Sequence, residues 1–281
     1  MLIASWNVNS IRIRIPQVIN WIKDYKPDVL CLQETKVMDN DFPYKSFTDI
    51  GYQVKVLGQK SYNGVAILSK SELIDCRMGF EGELVSNENL NQLGDQKRII
   101  SALINGIRFI NVYVPNGSAI GSEKFNYKIK WLNKLHTYLN NQQKRGEPTC
   151  ILGDFNIAPS KNDIHDSEKY EGGIMASNIE RESLNNALNG KFVDSFRVFE
   201  KSNGFWSWWD YRNKAFELNK GWRIDHIYIS HDLLPNLKSS VIDSRARGNQ
   251  QPSDHAPLFI NLDFEAISDY FPNDDEDIFE I

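Results

Sequence analysis

The sequence predicts an α/β protein in which two mixed β-sheets pack face to face with helices on the outside. Three observations carry this prediction. Short apolar runs of strand length recur along the chain, some of them form adjacent pairs as in hairpins, and two stretches show helical periodicity instead of alternation. The first strand is expected at 2–6, followed by a helix at about 15–25 in which Val18, Ile19 and Ile22 share one face. Further strands are expected at 28–32, 52–57 and 64–68. The runs 98–104 and 107–114 are joined by Asn105-Gly106, a pair that supplies the positive backbone angles of a two-residue turn. A second helix at 123–144 aligns Ile129, Leu132, Leu135 and Leu139, and strands at 149–153, 223–229 and 256–262 complete the set. The stretch 158–192 is polar and irregular, and reads as a surface loop with a short helix beside a site. With no repeat and no linker-like tract, residues 1–262 are expected to form one domain.

The 281 residues are 41% hydrophobic and 25% charged, as in globular proteins that bury a substantial core. No stretch approaches the roughly 20 apolar residues of a membrane span. The opening "MLIASWNVNSIRIR" carries neither a basic lead nor a cleavage site, so a cytoplasmic location with no membrane partner is expected. Three cysteines argue against a disulfide framework, and Cys31 and Cys150 lie in apolar runs as small buried hydrophobes. The net charge of −5 is unevenly placed: residues 263–281 hold eight carboxylates and no Lys or Arg, leaving 32 basic and 29 acidic side chains before them. The body is therefore mildly basic and compatible with a polyanionic partner, and the tail is expected to be solvated and poorly ordered.

Polar residues gather where the apolar runs stop. "SWNVN" offers Asn7 and Asn9, "LCLQE" offers Gln33 and Glu34, and "NVYVPNG" offers Tyr113 and Asn116. "ILGDFNIAP" places Asp154 and Asn156 two residues apart, "GWRIDHIYIS" offers Asp225, and "QQPSDHAPL" offers Asp254 and His255. Taken singly each has an ordinary explanation: an asparagine caps a helix, an Asp-Asn-Pro run makes a turn, a tyrosine half-buries in a strand. Six such groups at the ends of apolar strands point instead to a site assembled on one rim of a sheet scaffold. Their chemistry agrees. Carboxylates and amide oxygens without cysteine suit a hard cation, Mg²⁺ or Mn²⁺. A histidine oriented by a second aspartate is a donor for a phosphate oxygen, Asp154 is a base for water, and Tyr113 and Asn116 are donors to a phosphodiester. Together these groups are suited to metal-assisted phosphoester hydrolysis.

The consecutive segments "WNVNSIR", "LCLQETK", "YNGVAILS", "NVYVPNG", "GDFNIAP", "GWRID" and "PSDHAP" resemble the ordered motifs of the exonuclease III family of abasic-site endonucleases, within the endonuclease/exonuclease/phosphatase superfamily. The resemblance spans Leu2 to about Leu262. It implies a four-layer, DNase I-like α/β sandwich, a divalent metal, and a monomer that incises double-stranded DNA 5′ to an abasic site. It also implies 3′–5′ exonuclease, 3′-phosphodiesterase and 3′-phosphatase activities on blocked ends. Carried over by motif, Glu34 would be the direct metal ligand, with Asn7 and Asn9 holding its water shell or a phosphate. Asp154 would activate or position the water, Asn156 would orient it and bind phosphate, and Tyr113 and Asn116 would contact the scissile group. Asp225 would orient His255, His255 would donate to a non-bridging oxygen, and Asp254 would sit near the metal. The implied metal site thus comprises Asn7, Glu34, Asp154, Asn156 and Asp254.

An abasic sugar turned out of the helix needs a small apolar pocket, for which the resemblance implies Phe205, Trp222 and Ile224; at least one of Trp206 and Trp208 is expected to be core. Arg212, Lys214, Lys220, Arg223, Arg245 and Arg247 are candidate phosphate-tracking cations. Two departures matter. Where some relatives place a duplex-entering arginine this chain has Ala119, leaving Lys124 or Lys128 as phosphate contacts. The stretch "HDSEKYEGGIMASNIERES" also lacks the basic and aromatic character found in strong exonucleases, so abasic incision is expected to outweigh processive digestion. In the acidic tail, Phe271, Ile278, Phe279 and Ile281 are candidate contacts for a repair partner.

Overall fold

The computed structural model describes residues 1–80 and 96–263, so the acidic tail beyond Asp263 lies outside the described residues. The strands are β1 (Leu2–Asn7), β2 (Val29–Gln33), β3 (Gln53–Leu57), β4 (Val65–Ser69), β5 (Ile74–Met78), β6 (Ile99–Ile104), β7 (Ile107–Tyr113), β8 (Thr149–Asp154), β9 (Phe192–Asp194), β10 (Asp225–Ser230), β11 (Leu237–Ile242) and β12 (Leu258–Leu262). They form two six-stranded sheets, ordered β11-β12-β1-β2-β4-β3 and β5-β6-β7-β8-β10-β9. Helices are α1 (Ile11–Tyr25), α2 (Tyr44–Thr48), α3 (Glu123–Gln143), α4 (Ser167–Tyr170), α5 (Asn178–Leu188) and α6 (Ser195–Phe199).

Why the strands read as unbroken apolar runs is now plain, because the central ones are buried on both faces. In β1, Ile3 faces the second sheet while Ala4 and Trp6 meet Val18, Trp21 and Ile22 of α1. In β8, Cys150 and Leu152 fill the space between the sheets, and Ile151 packs under Trp131, Leu135 and Tyr138 of α3 and Leu184 of α5. The result is the four-layer sandwich that was expected. The Asn105-Gly106 turn has φ of 50° and 80°, and Ile104 pairs with Ile107 across it, so the hairpin closes in two residues.

Differences from the sequence reading fall at edges and caps. Strands β5, β9 and β11 were not foreseen; each is an edge strand, two carry register shifts, and their exposed positions leave no apolar run to read. Helix α1 starts at Ile11 and not near 15; Pro16 reads as a helix start but lies inside it, and the true entry at Ser10 (φ 89°) has no side-chain cap to mark it. The irregular 158–192 stretch holds α4 and α5, the latter opened by a capping box between Ser177 and Glu180.

Candidate active site at the rim between the sheets

Topology brings the polar residues together. β1 and β2 run parallel, as do β7 and β8, so Asn7, Gln33, Tyr113 and Asp154 all close their strands at the same rim. β10 and β12 are antiparallel to their neighbours β8 and β1, so Asp225 begins its strand, and Asp254 and His255 precede theirs. In register, Tyr113 lies beside Asp154 and Asp154 beside Asp225. These residues share the face that, one step deeper, carries Leu152 and Cys150, so the site is the inter-sheet core continued to the surface in polar groups. The layer between is already polar: Gln33 Nε2 donates to Asn111 Oδ1 at 2.7 Å and to Ser5 Oγ at 3.0 Å, joining the two sheets beneath the site.

Glu34, Asp154 and His255 each place a ligand atom within 4.8 Å of the others. Asn7 spans the two carboxylates, Nδ2 donating to Glu34 Oε1 (2.8 Å) and Asp154 Oδ2 (2.9 Å). Glu34 sits at φ 50°, a left-handed turn directly after β2 that swings its carboxylate to the rim. Gly153 adopts φ 147°, and a Cβ there would lie 1.9 Å from the Val112 carbonyl oxygen, which explains the glycine in "GDFN". The Asn156 backbone N–H donates to Asp154 Oδ1 (2.8 Å), Asn156 Nδ2 donates to the Val114 carbonyl (2.9 Å), and Asn116 Nδ2 donates to Asn156 Oδ1 (3.0 Å). His255 Nδ1 lies 2.8 Å from Asp225 Oδ2, and its Nε2 lies 3.8 Å from Asp154 Oδ2. Asp254 accepts from Asn9 Nδ2 and Trp208 Nε1, both at 2.9 Å.

The electrostatics follow from burying these groups together. Burial, with Asp225 and Glu34 nearby, raises the Asp154 carboxyl to about 7, although His255 and the Asn7 hydrogen bond oppose the rise. Burial alone would lower the His255 imidazolium, but Asp225 and Asp154 overcome it and raise it to about 10. Burial together with Glu34 and Asp154 pushes the Tyr113 phenol well above its ordinary value, so it stays protonated and donates. Burial raises the Asp254 carboxyl too, but His255 and the hydrogen bonds from Trp208 and Asn9 hold it below the usual range. The rise at Asp154, set first by burial and then by Asp225 and Glu34, marks a carboxylate cluster short of positive charge whose oxygens are hard donors; a divalent cation fits this set.

Beside the carboxylates an apolar cluster gathers Ala158, Ile164, Met175, Ala176, Trp222 and Ile224. It borders an open cavity of about 760 Å³ whose wall includes His165, Tyr170, Met175, Trp208, Lys220 and Trp222. Trp222 and Ile224 both belong to this cluster, and Trp222 also lines the cavity. Phe205 lies outside this cluster, 41% exposed and edge-on to Phe196 at 5.7 Å. Trp206 is buried in a separate core cluster with Trp209.

Two expected phosphate contacts are corrected. Arg223 is fully buried and held by Asp163 (2.6 Å) and Asp194 (2.7 Å). Lys128 is fully buried against Glu180 at 2.6 Å. Arg245 pairs with Asp243, and Arg247 packs over Tyr211 and Phe216. Two site residues escaped the sequence reading. Lys36 places its ammonium 2.8 Å from Glu34 Oε2 and 2.5 Å from Asn9 Oδ1, and Trp208 holds Asp254. The positive φ values of Glu34 and Lys36 break the alternation that would have shown Lys36 facing Glu34.

Comparison with known proteins agrees with this geometry. The sequence signature of the Endonuclease/Exonuclease/phosphatase family matches residues 4–255. Exodeoxyribonuclease III of Haemophilus influenzae is 36% identical over 271 residues, covering 92% of this chain and 98% of that protein. The 3′ phosphatase NExo from Neisseria, solved with a product DNA hairpin, is 39% identical with a TM-score of 0.88, covering 94% of this chain and 100% of that one. An AP endonuclease from Archaeoglobus fulgidus is 38% identical with a TM-score of 0.87, again covering 94% and 100%. With the family match over residues 4–255 and these likenesses in sequence and fold, this chain belongs to the endonuclease/exonuclease/phosphatase family of nucleases and, within it, to the exodeoxyribonuclease III and AP endonuclease group.

Proposed function

We propose that this protein is a DNA-repair nuclease that hydrolyses the phosphodiester 5′ to an abasic site, with 3′–5′ exonuclease, 3′-phosphodiesterase and 3′-phosphatase activity on damaged ends. The observation that carries the reading is the convergence of Glu34, Asp154 and His255 within 4.8 Å, next to the apolar cluster around Trp222 and Ile224. Its relatives bear the same activities in their names: exodeoxyribonuclease III, 3′ phosphatase and AP endonuclease. A divalent cation, Mg²⁺ or Mn²⁺, would be held by Glu34 and Asp154, with Asn7, Asn156 and Asp254 as the further oxygen donors that the resemblance implies. Such a cation would supply positive charge to offset the charge of a bound phosphate.

The chain's own groups supply the rest. Asp154, with its raised proton affinity, takes a proton from the attacking water, which Asn156 orients. The new bond forms between that oxygen and phosphorus, and the bond to the upstream 3′ oxygen breaks; that oxygen takes a proton from solvent, leaving a 3′-hydroxyl and a 5′-phosphate. His255, kept cationic by Asp225, donates to a non-bridging oxygen; Tyr113 and Asn116 donate to the same phosphate. The apolar wall of Trp222 and Ile224 favours a sugar without a base over a full nucleotide. The protein works as a cytoplasmic monomer on double-stranded DNA, and the acidic tail outside the described residues is the segment through which a repair partner would act.

The test is a duplex with one internal abasic analogue beside its intact twin, incubated with Mg²⁺ or with chelator, and with the Asp154→Asn variant as control. A single Mg²⁺-dependent cut 5′ to the lesion, absent from the control, is the expected result. No cut with Mg²⁺ or Mn²⁺ would direct the same chemistry to another phosphodiester.

A further inference from the structure

Lys128 projects from α3 into a place where a cation has no contact with solvent; its side chain and that of Glu180 are both 0% exposed. All three ammonium protons are used. Nζ donates to Glu180 Oε1 at 2.6 Å, to the Asn156 carbonyl at 2.7 Å and to the Asn116 carbonyl at 3.2 Å. Glu180 is equally saturated: Oε1 also accepts from the Met175 backbone N–H (3.0 Å), while Oε2 accepts from Ser177 N (3.1 Å) and Oγ (2.7 Å). Burial lowers the Lys128 ammonium even with Glu180 against it, so this charge is held at a cost.

What the pair joins is informative. Asn116 follows β7, Asn156 follows β8, and Met175 lies in the loop before α5, so three separate chain segments meet on one ammonium and one carboxylate. Asn156 is held at φ 51°, and its carbonyl takes the shorter of the two backbone contacts to Lys128. Above the pair, the amide of Asn116 reaches both Asn156 Oδ1 (3.0 Å) and Met175 Sδ (3.6 Å), and Met175 belongs to the apolar cluster. A Cβ on Gly117 would lie 3.2 Å from Lys128 Cδ, so the Asn116 loop also rests on the lysine's aliphatic stem.

We infer that Lys128 and Glu180 are positioning residues that fix the Asn116 and Asn156 amides in register with the Met175 wall of the sugar pocket. The inference rests on the hydrolytic reading above for its consequence, and on the hydrogen bonds alone for its geometry. The pair sets where the two amides stand before DNA arrives, which is the preorganisation that transition-state binding requires.

The test uses the full chain with Lys128→Met and with the double change Lys128→Met/Glu180→Gln. The double variant removes both charges yet keeps an amide acceptor for the Ser177 cap, and neutral replacement of a buried pair commonly preserves stability. Two readouts are taken: kcat and KM on the abasic duplex, and the side-chain amide signals of Asn116 and Asn156 in ¹⁵N-asparagine-labelled protein without DNA. The expected result is folded protein with kcat lowered about 10²-fold, KM little changed, and both amide signals displaced. Recovery of kcat together with stability in the double variant, or unmoved amide signals, would overturn the inference and leave the pair a plain core contact. Should either variant fail to fold, Glu180→Gln alone carries the same two readouts. A wild-type protein that leaves the abasic duplex intact would instead overturn the hydrolytic reading, while the amide signals would still decide the geometry.

Discussion

His255 stands between two aspartates, with Nδ1 2.8 Å from Asp225 Oδ2 and Nε2 3.8 Å from Asp154 Oδ2. Asp225 fixes the ring so that Nδ1–H points down into the protein and Nε2–H faces the cleft. The backbone fixes it further: the Trp6 indole donates to the His255 carbonyl at 3.1 Å, and the His255 N–H donates to Ser253 Oγ at 3.2 Å. Asp225→Asn keeps the shape but removes the charge that sustains an imidazolium. It is expected to lower kcat about 10²–10⁴-fold with little change in fold, as loss of an orienting carboxylate does elsewhere. Incision kinetics and a thermal melt of the same sample check this; full activity in Asp225→Asn would remove His255 from the role of cationic donor.

Trp222 forms the back of the apolar cluster, bridging Ile164 on one side and Trp208 on the other. Trp222→Ala enlarges the cavity, so selection for abasic over intact sites should fall while metal affinity stays the same. The ratio of kcat/KM on the two duplexes reads the first, and a metal titration of incision the second. Unchanged selectivity would remove Trp222 from substrate choice.

Arg223 is a structural cation shared by Asp163 and Asp194, not a DNA contact. Burial raises the Asp163 carboxyl, but Arg223 and Arg197 outweigh it and hold it at about 2. Arg223→Met should destabilise the protein by about 3–5 kcal/mol, because Asp194 loses the cation facing it and the buried Asp163 is left with Arg197 alone. The salt dependence of DNA binding should keep its slope in the folded fraction, whereas loss of a phosphate contact would reduce that slope by about one.

His226 is fully buried on the helix-facing side of β10, where Nε2 lies 2.9 Å from the Ile157 carbonyl and Nδ1 has no partner among the described residues. Burial, helped by Arg223, lowers its imidazolium to about 4 from the ordinary 6.5. The unfolded chain therefore binds the proton first, and stability falls as pH drops from 6.5 towards 4, by at most roughly 3 kcal/mol over that window. Denaturant melts from pH 7 to pH 4, compared with His226→Asn, should show this slope in the wild type and a weaker one in the variant.

Comparing digestion of an intact blunt duplex with incision of an abasic one tests the balance of activities. Incision should be the faster, given the acidic character of the 165–183 stretch, with five carboxylates against Lys169 and Arg181, and Ala119 in the loop after Asn116. Faster digestion of the blunt duplex would reverse that balance.

Much of this was legible in the sequence because the central strands are buried on both faces, so β1, β2, β7 and β8 announce themselves as apolar runs, and their ends show where polar residues begin. The identities at the rim followed from those ends. Edge strands β5, β9 and β11 were silent because an edge needs little hydrophobicity. The cations were the poorest guide: Lys128 and Arg223 look like surface charges in a string of letters, and only the approach of Glu180, Asp163 and Asp194 from distant positions shows them to be interior. Lys36 was hidden for a different reason, since two left-handed residues in a short span undo any face assignment made from alternation.

The order in which strands enter the sheets bears on safety during synthesis. Asn7 and Glu34 belong to the first sheet and Asp154 and Asp225 to the second, while His255 precedes β12, which slots between β11 and β1. A nascent or partly opened chain therefore holds the two halves of its cutting edge apart. The segment carrying His255 is seated only when β12 takes its place between β11 and β1, so the site's imidazole depends on the docking of the last strand.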